Sequence, residues 1–232
     1  MSTLGTVALC ARYPVKSVLG EQLEQLWLAE VGPVGDRVWA LQSADGRLGS
    51  GKSSRRFVHL DRMLDMAART TPDDVILRLP DGHELAMTDP ALPGALVEIV
   101  GQPVKAVRAE RAPHHDGSPL HLVTTASLRW WADQAREHEV GWERTRANLV
   151  VDVRGAARVE DEWVGRRLRI GEAEVEIVEP TERCAMVTHA QGELEHAAAL
   201  LRVLAPHELN LGVYATVVTP GKVRVGDPVV AL

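Results

Sequence analysis

Apolar and polar positions alternate along this chain in short runs broken by glycine, proline and aspartate. That is the pattern of half-buried strands joined by tight turns. Strands are expected at Thr6–Arg12, Arg37–Gln42, Val75–Leu79, Val104–Ala109, Leu120–Thr124, Asn148–Val153, Arg167–Val178, Val213–Val218, Lys222–Val225 and Pro228–Ala231. Asp45-Gly46, Asp81-Gly82, Gly171-Glu172, Pro220-Gly221 and Gly226-Asp227-Pro228 supply turns that favour antiparallel hairpins. A helical period appears over Thr125–Glu139, with Leu128, Trp131, Ala132 and Ala135 on one face and Thr125 or Ser127 as N-cap. A second helix is expected over Glu193–Leu204, stopped by Pro206, and a shorter one over Asp61–Arg69. The polar stretch Glu110–Ser118 reads as a linker. The pattern therefore predicts a mainly β, barrel-like fold with a few covering helices.

Composition narrows the class. The 232 residues are 45% hydrophobic and 25% charged, with a net charge of −6, so no basic surface is advertised to nucleic acid or anionic lipid. Two cysteines, Cys10 and Cys184, exclude a disulfide framework and a cysteine-only zinc site, and they fit a reducing cytoplasm. The opening residues carry no positive leader and read as a first strand rather than a signal peptide. No run approaches the ~18 apolar residues of a membrane span. A soluble, cytoplasmic protein is expected.

Cys184 carries the candidate chemistry. It follows a strand-like run and sits beside Arg183, whose field favours the thiolate, the form that attacks or binds soft metals. Cys10, alternating with Val7 and Leu9, reads instead as a core residue. Lys16 and Ser17 follow Tyr13-Pro14, where proline ends the strand ladder and lets a cation and a hydroxyl turn outward towards an oxyanion. Arg37, Arg146 and Asn148 open later strands, and each single arginine reads equally well as a surface ion pair. They acquire meaning only if the fold gathers them.

Gly46–Ser53 satisfies the phosphate-loop pattern G-x-x-x-x-G-K-[ST], and Leu149–Asp152 resembles a magnesium-supporting strand, which makes a nucleotide hydrolase the rival reading. Its context argues against that reading. Ser43–Gly46 is a hairpin turn, and Ser53–His59 lacks the helical period a phosphate loop requires. Lys52 reads better as part of a basic rim. His114, His115, His121 and His189 lack zinc-site spacing; His189 reads as a loop residue or a pocket-lining proton donor. Asp152 reads as a capped or solvated strand end, or as support for a positive pocket residue, and Trp130-Trp131 are explained by packing.

Seven stretches then occur in a shared order: Tyr13-Pro-Val-Lys-Ser17, Gly35-Asp-Arg-Val-Trp39, Ser118-Pro-Leu120, Arg146-Ala-Asn-Leu-Val150, Arg183-Cys184, Gly212-Val-Tyr214 and Gly221-Lys-Val-Arg-Val-Gly-Asp-Pro-Val229. Together they resemble the MOSC superfamily, named for the C-terminal domain of molybdenum cofactor sulfurase. More narrowly, they are similar to the two-part arrangement of the mitochondrial amidoxime-reducing component and its bacterial relatives. The resemblance implies a smaller N-terminal β-barrel-like domain over 1–112, packed with a β-barrel MOSC domain over 113–232. It implies that the Cys184 thiolate coordinates molybdenum, whose cofactor is held through phosphate or pterin by Lys16, Ser17 and Arg37. Arg146, Asn148, Arg183 and Tyr214 would complete the pocket. The implied activity is reduction of a small N-hydroxylated substrate; the alternative is a carrier of cofactor or sulfur. Glu182, where mitochondrial relatives have a small hydroxyl residue, is a departure that sets an extra negative charge near the metal. Two cysteines cannot hold a four-thiolate iron–sulfur cluster, so a reductase would draw electrons from separate partner proteins.

Overall fold

The structure, a computed structural model, describes residues 2–136 and 138–232; Met1 and Glu137 lie outside them. The architecture is mainly β, with helices at Leu92–Val100, Thr125–Ala135 and Ala199–Arg202. Seven strands close into a barrel: Leu149–Asp152, Leu120–Thr124, Asn210–Thr219, Ala173–Glu182, Arg167–Ile170, Pro228–Ala231 and Ser2–Arg12, which pairs back onto Leu149–Asp152. All neighbours are antiparallel except Leu120–Thr124 with Leu149–Asp152.

The barrel interior holds Leu122, Leu149, Val151, Leu168, Ile177, Val213 and Val229, all essentially inaccessible to water. Cys10 belongs to this core. Val7 and Cys10 both face inward, three positions apart, because a bulge between Val7 and Leu9 resets the alternation. Burial pushes the Cys10 thiol up to about 12, so it stays protonated and inert. Outside the bulge Leu9, Ala11 and Tyr13 face a second apolar cluster with Val123, Ala147 and Val150.

The remaining N-terminal residues build another core. One sheet has the order Val104–Arg108, Trp39–Ser43, Leu48–Ser50, Phe57–His59; another joins Glu84–Ala86, Val75–Arg78 and Ala67–Thr70. Helix Leu92–Val100 seals them with Leu92, Leu96 and Val100. The two parts interlock. The first strand lies in the barrel otherwise built from residues 120–231, and Gly221–Arg224 pairs with Gln25–Ala29.

Several local expectations are corrected. Arg167–Val178 is two strands, Arg167–Ile170 and Ala173–Glu182, turning at Gly171 with φ of 56°. The helix from Thr125 ends at Ala135, and its N-cap is Thr124, whose side chain accepts from the Ser127 N–H at 3.0 Å. The expected helix Glu193–Leu204 shrinks to Ala199–Arg202, because the backbone ahead of it is bonded elsewhere. The Ala197 N–H donates to the Thr188 carbonyl, and the Glu195 carbonyl accepts from Arg144. Asp61–Arg69 forms only a 3-10 turn, Met63–Asp65, before strand Ala67–Thr70. Helix Leu92–Val100 was hidden by Pro93 and Gly94, yet proline is tolerated in a first turn and Gly101 caps the end at φ 72°. Among the described residues no helix is long and apolar enough to cross a membrane.

Candidate functional site

Where the first strand leaves the barrel, main-chain bonds stitch residues 13–16 to residues 36–39. The buried Asp36 carboxylate accepts from the Tyr13 N–H at 2.7 Å and pairs with Arg37. Arg37 N–H donates to the Tyr13 carbonyl at 2.7 Å, Trp39 N–H to Pro14, and Lys16 N–H to Trp39. Ser17, Arg37 and Arg146 all adopt left-handed backbone, with φ of 61°, 50° and 55°. A non-glycine residue held there costs about 1 kcal/mol or more, so the surroundings must enforce it.

These residues surround one cavity. All eight side chains singled out in the sequence line it: Lys16, Ser17, Arg37, Arg146, Asn148, Arg183, Cys184 and Tyr214. Lys52, Asp116, His121, Thr145, Glu182 and Met186 are among the others. Five cations face two carboxylates, in a chain whose net charge is −6. The cavity is a concentrated positive pocket.

Aromatic rings support the cations. Lys16 Nζ lies 4.5 Å from the centroid of Phe57, the only phenylalanine, which Lys52 and Arg56 also approach. Arg146 and Arg37 lie 4.4 and 5.0 Å from the Tyr13 ring, whose hydroxyl donates to the Ala147 carbonyl. Burial pulls the Lys16 ammonium down to about 8 despite its pairing with Asp116. Burial brings Arg146 to about 10, and Arg37 adds repulsion. Arg183 is likewise lowered by burial. Such groups gain when an anion arrives.

Three buried nitrogens in this wall lack a hydrogen-bond partner within the protein: Arg146 Nη2, Arg183 Nε and His121 Nε2. Their neighbours are engaged, since Arg146 Nη1 donates to the Val18 carbonyl at 2.8 Å and Arg183 Nη2 to the Thr145 carbonyl at 2.6 Å. Burial drives His121 well below the usual imidazole range, so the ring is neutral and one nitrogen has an open lone pair or N–H. Unsatisfied buried donors are costly, and a ligand rich in acceptors satisfies them. Asn148 differs. Its Oδ1 accepts from His121 N–H and its Nδ2 donates to Ala11, both at 3.3 Å, so its amide chiefly laces strands behind the cavity.

Cys184 is half-buried and opens into this cavity. It precedes the 3-10 turn Ala185–Thr188, whose Val187 N–H donates back to the Cys184 carbonyl at 3.2 Å. Arg144, absent from the sequence reading, holds the segment that follows. Only 1% exposed, it donates from Nη1 to the Val187 and His189 carbonyls at 3.1 and 3.0 Å, and from Nη2 to that of Glu195. Glu182 is exposed at the rim, and no ion pair joins it to Arg183. The supposed linker supplies Asp116, His115 and Ser118 to the cavity. Asp116, although burial opposes it, is held below the usual carboxylate range by Lys16.

The phosphate-loop motif has no phosphate-loop structure. Gly46 lies in a turn, Leu48–Ser50 is a short strand, and strand Phe57–His59 follows without a helix. Lys52 nevertheless reaches the cavity rim. Asp152 accepts from Thr125 Oγ1 at the strand end, and Trp131 is buried with its Nε1 donating to Leu200. Among the described residues no group of three or more His, Cys, Asp or Glu is placed to hold a metal ion, and Cys184 is the one thiol lining the cavity.

Fold and cavity define a barrel protein with a cationic pocket closed on one side by one thiol. Residues 109–230 match the family model of the MOSC domain, and residues 4–109 match that of the MOSC N-terminal beta barrel domain. The chain belongs to the MOSC family, and the MOSC domain is associated with binding of the molybdenum cofactor. Among solved structures, the YuaD protein from Bacillus subtilis is 14% identical with a TM-score of 0.52, over 97% of this chain and 93% of that one. YiiM from Escherichia coli is 14% identical with a TM-score of 0.47, over 98% and 69%. No curated protein sequence matches the chain.

Proposed function

We propose that this protein is a molybdenum-cofactor-dependent oxidoreductase that reduces small N-hydroxylated compounds with electrons from separate donor proteins. One observation carries the reading: a half-buried thiol shares a cavity with buried cations, two of whose guanidinium nitrogens have no partner in the protein. An anionic, acceptor-rich cofactor with a soft metal fits that donor set. Cys184 would bind the metal as thiolate. Lys16, Ser17 and Arg37 would hold phosphate or pterin, with Arg146, Arg183 and Tyr214 beside them and Asn148 behind.

When bound, the cofactor supplies the two-electron redox couple for the overall change R–NHOH + 2e⁻ + 2H⁺ → R–NH₂ + H₂O. The chain itself anchors, orients and partly shields. Arg37 is fixed by Asp36, and Arg146 by Val18, so the cations are placed before any ligand arrives. Arg144 fixes the main chain beyond the thiol.

Expression in a cofactor-producing host tests this. About one molybdenum per chain and pterin fluorescence are expected, lost in Cys184→Ala and retained in Cys10→Ala. The loaded protein should reduce benzamidoxime with an artificial electron donor. Metal and pterin without turnover, but with delivery to apo-enzymes, would make it a carrier instead. Absence of both metal and pterin would refute cofactor binding.

A further inference from the structure

A second chamber of about 220 Å³ adjoins the thiol cavity. Met186 lines both chambers, two residues along the 3-10 turn from Cys184. Gly51 borders the second chamber, and the next residue, Lys52, borders the first. A Cβ at Gly51 would meet Met186 Sδ at 2.3 Å, so the two segments lie in close contact. His189 Nε2 lies 3.1 Å from the Gly51 carbonyl and pins them together. The two chambers thus share a built wall.

Their chemistry differs sharply. The second chamber has an apolar floor of Leu60, Met63 and Leu64, all buried, with the Met186 thioether at its boundary. The His59 and His189 rings lie 6.2 Å apart at 52°, and His196 stands 6.4 Å from His189. Its charged side chains sit at the exposed edge, where Arg62 Nε pairs with Asp65 at 2.9 Å and His59 Nε2 lies 3.0 Å from Asp61. A charged ligand would meet these groups only in contact with water, where ion pairs are weak. A flat, uncharged ring would find aliphatic, thioether and imidazole surfaces.

We propose that this chamber seats the organic body of the substrate and selects neutral, planar aromatic or heteroaromatic compounds, leaving the cationic cavity to the cofactor and the reacting group. The selection of substrate rests on the reading of the Cys184 cavity as the reaction site, whereas binding of the ring does not. Ala190 is exposed and lines the chamber, so Ala190→Trp fills its mouth while leaving the core intact.

Two measurements separate the claims. In the cofactor-free protein, saturation-transfer NMR should detect benzamidoxime and show the His59 and His189 ring signals shifting, with both effects lost in Ala190→Trp. In the loaded protein, the ratio of kcat/KM for benzamidoxime to that for hydroxylamine should fall at least tenfold in the same variant. Ring binding without turnover would leave the chamber standing and sink the reductase reading. Turnover with an unmoved ratio and unmoved histidine signals would overturn the chamber and spare the reductase. Ala190→Leu serves if thermal melting shows the tryptophan variant to be unfolded.

Discussion

Arg144→Ala probes the architecture of the thiol segment most directly. The guanidinium is 1% exposed and serves the carbonyls of Val187, His189 and Glu195, with a longer contact to Glu139 at 3.3 Å. Each hydrogen bond from a charged group is worth about 1.5–3 kcal/mol, but burying the cation offsets part of that sum. Truncation also strands carbonyls that the fold has turned away from other donors. The net loss should be about 3–5 kcal/mol, which for a chain of 232 residues lowers Tm by roughly 6–20 °C. Arg144→Lys should recover less than half, because one ammonium cannot span three separated carbonyls. Urea denaturation gives the free energies, and the rate of Cys184 modification by a thiol reagent reports order at the site, since buried Cys10 does not compete. A loss below 1 kcal/mol, or full rescue by lysine, would refute the claim that this fork holds the segment.

Two further outcomes follow from the cavity and the barrel. Lys16 titrates near 8, below its unfolded value, so its charge is present below that pH and lost above it. Sulfate affinity measured by calorimetry should therefore fall as pH rises through about 8, and Lys16→Arg should remove the fall; at pH 6.5, Asp116→Asn should tighten sulfate roughly tenfold by freeing the lysine. Gly212 has φ of 79°, and an added Cβ would meet His121 Nε2 and the Leu122 carbonyl at 2.6 Å, so Gly212→Ala should cost about 2–4 kcal/mol by denaturant titration.

The strands were legible because barrel packing buries one face, and alternation writes that face into the chain. Leu120–Thr124 and Pro228–Ala231 match the expectation residue for residue. Helices fared worse. Leu200 and Leu204 are buried as a helical period requires, yet Arg144 and Thr188 claim the backbone ahead of them, and no local pattern encodes a donor about fifty residues away. Cys184 stood out by itself beside Arg183, whereas the other cavity-lining residues read as ordinary polar side chains until the family-like order of short stretches linked them.

What sequence could not carry was the support. Asp36 and Phe57 look like surface and core residues, yet one fixes Arg37 and the other lies beneath three cations. Ser17, Arg37 and Arg146 break the rule that left-handed turns go to glycine. A fold needing only those turns would place glycine there and gain stability. Keeping side chains at strained positions is rational where the side chains themselves face the ligand, and all three line the cavity. Arg62, Arg136, Glu208 and Leu209 share that backbone elsewhere, so left-handed geometry alone does not mark the pocket; what sets Ser17, Arg37 and Arg146 apart is that, from positions after one strand and ahead of two others, they converge on one cavity.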